Sequence, residues 1–409
     1  MISKHRQTGR QRVAIGNNPE RNRLHNRRVV LEIIRVHGPI GRTSIARLTH
    51  LTPQAVSNIV DELVTDHLLV ETGRLRTGRG QPPIQFAINP DGPMTAGVEI
   101  AADHMVTVML DITGRVRAQT SVPLAEATPD AIAPLLVAEL DKARAVIGTN
   151  PRILGIGVVM PGPFGIEGMT SVGPTTLPGW HEIDPAHLLG EATGLPVVIE
   201  NDATAAAIGE RFFGVGQKLA DFAYIYFGAG LGMGIIHNGQ PFRGVFGNAG
   251  EIGHAVVVPG GRPCACGQSG CLERYASVYA LREKCAERGI EVPDFAGLET
   301  WQAEGHPVLR EWIAEAAQSL APIIATLENV LDPETMILGG ALPDPVIDAV
   351  IAALAPLPVS VASRRDRQVP RVLRGTTGQF TAALGAAAIP LMETITPRLD
   401  IAPDPAGAA

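Results

Sequence analysis

Residues 264–273 read Cys-Ala-Cys-Gly-Gln-Ser-Gly-Cys-Leu-Glu and hold three of the four cysteines of the chain. Residues 251–254 read Glu-Ile-Gly-His and place an imidazole ten residues before Cys264. Three thiolates and one imidazole complete the tetrahedral shell of a structural zinc ion and leave no position open for hydrolysis. This density at short spacing predicts a metal site, and the glycines let the chain turn tightly around the ion.

Length and composition narrow the class of protein. A chain of 409 residues with 45% hydrophobic residues is long enough for two or three domains with packed cores. No apolar run is long enough to span a bilayer, and the first residues lack the apolar segment of a signal peptide. Clustered cysteines are typical of a reducing compartment, so we expect a cytoplasmic protein without a membrane partner.

Charge is distributed unevenly along the chain. Residues 1–90 contain 14 Lys and Arg against 6 Asp and Glu, although the whole chain has a net charge of −7. Such asymmetry predicts a nucleic-acid-binding N-terminal region joined to an acidic globular body. A solvated basic arm is the alternative that charge alone leaves open.

Three helices are predicted in the N-terminal region. Residues 1–22 are polar and basic without periodicity, and we expect a disordered arm. Apolar residues then recur at helical spacing over residues 23–37, 43–49 and 53–67. Thr52 and Pro53 match the cap and the first position of the third helix.

A basic hairpin follows the three helices. Apolar stretches at residues 68–71 and 84–88 flank a Gly- and Arg-rich tip, so residues 23–90 are predicted to form a winged helix-turn-helix that binds double-stranded DNA. The third helix would read base edges in the major groove, and the wing would contact phosphates or the minor groove. The predicted DNA-binding residues are Gln54, Ser57, Asn58, Arg74, Arg76 and Arg79.

Residues 91–395 are predicted to form a larger α/β unit with two lobes. A strand–turn–strand pattern over residues 95–111 returns over residues 223–237, about 130 residues later. Such a duplication would enclose a cleft. The Pro- and Ala-rich residues 396–409 are predicted to be a flexible tail.

The chain resembles the ROK family of repressors and sugar kinases, and specifically its transcription regulators. The resemblance rests on residues 251–254, the cluster ending in Gly-Cys-Leu-Glu at 270–273, and residues 200–207, Glu-Asn-Asp-Ala-Thr-Ala-Ala-Ala. It implies a winged helix-turn-helix fused to a two-lobed, actin-like domain of the sugar-kinase clan. It also places Trp180 in a loop similar to a sugar-side segment of the family.

The resemblance also implies roles for individual residues. The zinc ligands would be His254, Cys264, Cys266 and Cys271. The sugar contacts would be Asn201, Asp202, Glu251, His254 and Glu273. Carboxylates and an amide suit vicinal hydroxyls, and a metal fixes the orientation of a ligating imidazole.

The sequences of the phosphate-binding loops distinguish a kinase from a regulator. Asp202 matches the general base of the family's kinases. However, the first phosphate loop of the family reads Asp-x-Gly-Gly-Thr, whereas residues 99–103 read Glu-Ile-Ala-Ala-Asp. The methyl groups of Ala101 and Ala102 and the carboxylate of Asp103 would hinder the binding of ATP phosphates. In the second loop, Ala229 stands where a Thr is common, which would also weaken ATP binding.

The leading expectation is therefore a non-enzymatic DNA-binding repressor of carbohydrate genes that responds to a sugar or sugar derivative. A homodimer or homotetramer is expected, because paired recognition helices read two half-sites. A cytoplasmic sugar kinase is the alternative. A third hypothesis is a regulator that senses a protein partner instead of a sugar.

Overall fold

The computed structural model describes residues 19–74, 83–148, 151–162, 177–181, 183–364 and 366–395. The described residues form two compact units. One comprises residues 19–92 together with 392–395, and the other comprises Pro93–Leu391. Among the described residues, no helix is both long and apolar enough to cross a bilayer.

The N-terminal unit begins with three helices followed by a hairpin. Its elements are α1 (Pro19–His37), β1 (Ile40–Gly41), α2 (Arg42–Thr49), α3 (Pro53–Thr65), β2 (Leu69–Arg74) and β3 (Ile84–Ile88). The strands form an antiparallel sheet in the order β1-β3-β2. This is the element order predicted for a winged helix-turn-helix, with the short β1 as an addition.

Apolar side chains of the predicted helices and of β3 form the core of this unit. Val30, Ile45, Val60 and Phe86 are fully buried. The Thr52 side chain accepts a hydrogen bond from the Ala55 amide at 3.2 Å, so α3 starts at the predicted cap.

The first lobe of the second unit is built on a mixed five-stranded sheet. Its elements are β4 (Met94–Ile100), β5 (His104–Asp111), β6 (Val116–Pro123), α4 (Pro129–Ile147), β7 (Ile153–Met160), α5 (Pro185–Thr193), β8 (Val197–Asn201) and α6 (Asp202–Phe213). The strand order is β6-β5-β4-β7-β8, with β4, β7 and β8 parallel.

The second lobe repeats this topology. Its elements are β9 (Phe222–Phe227), β10 (Leu231–His237), β11 (Gln240–Pro241), α7 (Glu273–Ala276), α8 (Val278–Ala286), α9 (Phe295–Glu304), α10 (Pro307–Leu331), β12 (Thr335–Gly340), α11 (Asp344–Ala353), β13 (Val372–Arg374) and α12 (Thr381–Ile395). The order β11-β10-β9-β12-β13 matches the first sheet position by position. The predicted duplication is therefore confirmed.

Two small-residue helices lie between the sheets. On α12, the Ala383 carbonyl oxygen lies so close to β4 that a Cβ on Gly97 would come within 2.0 Å of it. On α6, the Ala205 carbonyl oxygen would come within 1.7 Å of a Cβ on Gly385. Such contacts exclude any side chain larger than hydrogen, so glycine lets the helices and the first sheet pack backbone to backbone.

Candidate functional site

Four side chains form a cluster that can hold a metal ion. Potential ligand atoms of His254, Cys264, Cys266 and Cys271 all lie within 4.8 Å of one another. His254 Nδ1 lies 3.6 Å from Cys264 Sγ, and the Sγ atoms of Cys266 and Cys271 are also 3.6 Å apart. Zinc–sulfur bonds of about 2.3 Å in a tetrahedron place two sulfurs about 3.8 Å apart, so the residues fit such an ion.

Backbone hydrogen bonds within the loop hold the cysteines in place. The Cys264 amide donates to the Gln268 carbonyl at 2.8 Å, and the Gly270 amide donates to the Arg262 carbonyl at 2.8 Å. Gly270 has a φ of 83°, and a Cβ there would lie 1.7 Å from the Val258 carbonyl oxygen. The turn that presents Cys271 therefore requires glycine.

Two thiols of this cluster, those of Cys264 and Cys271, have a raised pKa. Burial raises the pKa of Cys271 to about 12 and also raises the pKa of Cys264. A coordinated cation reverses this effect because the ligating form is the thiolate. Three sulfur donors and one nitrogen favour a soft or borderline metal over magnesium or calcium.

A cavity of about 50 Å³ lies next to this cluster, and we call it the small cavity. It is lined by all five residues predicted to contact a sugar, namely Asn201, Asp202, Glu251, His254 and Glu273. They come from the end of β8, the start of α6, a short turn around residue 252, and the start of α7. Residues from three separate parts of the chain thus meet at one concave surface.

Asn201 faces the small cavity while it caps a helix. Its Oδ1 accepts from the amides of Ala203 at 3.0 Å and Thr204 at 3.2 Å, which leaves the side-chain NH₂ as a donor. A Cβ on Gly162 would lie 2.9 Å from Nδ2 of Asn201 and 3.4 Å from Oε1 of Glu251. Glycine at this position therefore leaves space beside two of the predicted contacts.

The carboxyl groups around the small cavity hold protons unusually well. Burial raises the pKa of Asp202 to about 7, with a further contribution from the charges of Glu99 and Glu251. Burial likewise raises the pKa of Glu273 to about 7 and raises that of Glu251. Near neutral pH such carboxyls can both accept hydrogen bonds from hydroxyls and donate them, which suits a polyol.

The loop at residues 99–103, which the resemblance aligns with a phosphate loop of the family's kinases, makes internal contacts. The Ala101 amide donates to the His104 carbonyl at 3.0 Å. The Asp103 carboxylate lies 2.7 Å from His104 Nδ1 and 3.3 Å from Arg282 Nη2 of the second lobe. These side-chain contacts lower the pKa of Asp103 to about 2, so it is ionised at neutral pH.

Comparisons with known proteins show the family to which the chain belongs. Residues 95–393 match the model of the ROK family. The chain belongs to the ROK family. A xylose repressor of Caldicellulosiruptor bescii is 32% identical over 330 residues, which is 77% of this chain and 82% of that protein. A glucokinase of Streptomyces coelicolor is 31% identical over 268 residues, or 61% of this chain and 83% of that one.

A solved ROK structure extends the similarity in fold. It is a ROK family transcriptional regulator described as a homolog of the E. coli MLC protein. Its TM-score is 0.73 at 23% identity, and the match covers 92% of this chain and 98% of that chain. At this identity the likeness shows the fold alone.

The predicted DNA-binding residues fall into two groups. On α3, Gln54 and Asn58 are exposed and Ser57 is half-buried, with Gln54 donating to Asn58 at 2.9 Å. Arg74 is the last residue of β2, while Arg76 and Arg79 lie outside the described residues.

Two features of the site region go beyond the motifs, namely a hydrogen bond across the cleft and the burial of Trp180, whose loop resembles a sugar-side segment of the family. Tyr226 donates to Glu99 Oε1 at 3.1 Å across the cleft, a pairing that joins residues far apart in the chain. Trp180 is buried among apolar side chains of the first lobe and donates through Nε1 to the Ala127 carbonyl at 2.7 Å. The alternation of β9 indicated only that Tyr226 lies in a strand.

Proposed function

We propose that this ROK protein is a DNA-binding transcriptional repressor that responds to a sugar held between the two lobes. The observation that carries the proposal is the small cavity, where five polar side chains converge beside the metal cluster. Its protonated and ionised carboxyls suit hydroxyl groups. The resemblance to proteins named as xylose repressors supports regulation of carbohydrate genes.

DNA binding is assigned to the N-terminal unit. The exposed polar side chains at the start of α3 suit base edges, and Arg74, Arg76 and Arg79 suit phosphates or the minor groove. Two copies of the chain would read two half-sites, so we propose a homodimer or a pair of dimers.

The metal is proposed to be a structural zinc ion held by His254, Cys264, Cys266 and Cys271. Zinc would supply no reactive water because its four positions are filled by protein. The protein contribution is orientation, since coordination through Nδ1 would fix the His254 ring and leave Nε2 for a ligand in the small cavity.

A sugar kinase is the second candidate, since Asp202 occupies the position of the family's base and glucokinases are among the relatives. A kinase must also bind the triphosphate of ATP. Here the Ala101 amide is used within its own turn, and the ionised Asp103 stands where a hydroxyl is expected. These contacts favour a regulator without phosphoryl transfer.

The two candidates differ in measurable ways. Sugar should shift operator binding in a gel or anisotropy assay, and ATP with the same sugar should give no phosphorylated product. Loss of the sugar response in Glu251→Ala with unchanged operator binding supports the regulator. If the wild type phosphorylates the sugar and Asp202→Asn does not, the protein is a kinase and the regulator proposal is wrong.

A further inference from the structure

A second cavity adjoins the small cavity, and we call it the large cavity. It has a volume of about 370 Å³, within the range of about 300–1,000 Å³ of typical ligand pockets. Pro161, Asp202 and Tyr226 line both cavities. A ligand seated against Asp202 therefore has room to continue into the large cavity.

Part of the wall of the large cavity is apolar. The second lobe contributes Val278, Val292, Phe295 and Leu298, and the first lobe contributes Ile100 and Val106. Phe295 is half-buried, so part of its ring remains accessible. An apolar wall with a few polar groups suits the C–H faces and hydroxyls of a second sugar ring.

Carboxyl groups outnumber basic side chains in the described part of this wall, although burial raises the pKa of Asp202 to about 7 and also raises the pKa of Glu99. Its carboxylates are Glu99, Asp103, Asp202 and Asp294, against one arginine and one histidine. Asp103 already binds both cations, with Arg282 at 3.3 Å and His104 at 2.7 Å. A phosphate entering here would therefore find no unpaired basic side chain among the described residues of the lining, which disfavours a sugar phosphate or a nucleotide.

One carboxyl group of the large cavity has an oxygen without a hydrogen-bond partner among the described residues. Glu99 is only 7% exposed, and its Oε1 accepts from Tyr226. Its Oε2 is buried without a hydrogen bond among the described residues. Burial also raises the pKa of Glu99. An unpaired buried oxygen of this kind favours a ligand with a hydroxyl group, because a hydroxyl can donate to a carboxylate and accept from a protonated carboxyl.

We propose that the effector is a neutral disaccharide, with one ring in the small cavity and the second ring in the large cavity. This inference rests on the proposed function, because it names the class of sugar that the same site senses. The glycosidic link would pass Asp202, and hydroxyls of the second ring would face Glu99.

Titration calorimetry on the full chain tests the effector class. The probes are xylose and glucose, their disaccharides xylobiose, cellobiose and maltose, and glucose 6-phosphate. We expect at least one disaccharide to bind about tenfold or more tighter than its monosaccharide, a difference of about 1.4 kcal/mol, and glucose 6-phosphate to bind more weakly than glucose. A monosaccharide that binds as tightly as every disaccharide, or a preference for the phosphate, overturns the inference and leaves the repressor intact.

A blocking variant tests the location of the second ring. Ala102 is exposed in the turn between β4 and β5 and lines only the large cavity. Ala102→Trp should weaken the disaccharide about tenfold or more while the monosaccharide binds as before, and Ala102→Ser should change neither. Equal weakening of both sugars, or of neither, would overturn the inference. If none of the sugars binds, the proposed function of a sugar-responsive repressor is itself contradicted.

Discussion

Glu210 lies near the end of α6 and offers a sharp test of how the two lobes are joined. Its carboxylate is fully buried and accepts hydrogen bonds from the Val215 amide at 2.7 Å and the Thr376 amide at 3.0 Å. It also accepts from the hydroxyl of Thr377 at 2.7 Å and from its amide at 3.3 Å. The residues after β13 are thus tied to a helix that follows β8 of the first lobe.

Removing this carboxylate should be costly. Glu210→Ala leaves several buried donors without an acceptor, and each unsatisfied buried donor costs about 1–3 kcal/mol. Glu210→Gln keeps one oxygen but turns an NH₂ group toward donors, so we expect a loss of about 2–3 kcal/mol, near that of one or two charged hydrogen bonds. The same variant should weaken effector binding, because α6 begins with Asp202.

Urea denaturation measures the free energy of unfolding, and titration calorimetry with the effector measures the expected loss of effector binding. Glu287→Gln is the matched control, since Glu287 is exposed on the surface. A free energy of unfolding for Glu210→Ala within about 1 kcal/mol of the wild type would refute the reasoning, because surface changes alone produce differences of that size.

Three further predictions concern the metal, the cleft and the N-terminal unit. Cys266→Ser should lose bound zinc by metal analysis, whereas Cys285→Ser, which alters a buried cysteine outside the cluster, should retain it; full zinc content in the first variant contradicts the site. Because burial raises the pKa of Asp202 from 3.8 to about 7, its contribution to stability is complete below pH 3.8 and is lost as pH rises through about 7. The free energy of unfolding of the wild type should therefore fall relative to that of Asp202→Asn as pH rises across this range. A constant difference in unfolding free energy between the two proteins at every pH would exclude the raised pKa of Asp202. Thr52→Ala removes the bond to the Ala55 amide and should lower the free energy of unfolding by about 1 kcal/mol, with Thr52→Ser restoring it.

Local chemistry explains what could be predicted from the sequence. Thr52 and Pro53 marked the start of α3, because a hydroxyl cap and a first-turn proline act within four residues. The strand pairs of both lobes were predicted from alternation and tight turns, which are equally local. The metal cluster was predictable because three of its ligands lie within one turn-rich stretch.

Long-range packing explains what could not be predicted. Glu99 and Tyr226 are separated by 127 residues, and neither lies in a motif that mentions the other. The last helix has a similar origin, because a short turn over Gly378–Phe380 precedes α12, which then continues through Pro390 to Ile395. A proline normally ends a helix. Here Ala388 and Ile389 are buried, and this packing offsets the hydrogen bond that Pro390 cannot donate.

The position of α6 suggests how a sugar could be sensed without a chemical step. Asn201 and Asp202 form the start of this helix, and Ala203 in its first turn packs against β10 of the second lobe, where a Cβ on Gly234 would lie 2.3 Å from its carbonyl oxygen. A sugar that contacts Asn201 and Asp202 therefore touches a helix packed between both sheets. A ligand shifts a conformational equilibrium only by its differential affinity for the two states. A tenfold change in operator affinity thus needs a difference of at least about 1.4 kcal/mol, comparable to one hydrogen bond gained when the lobes close.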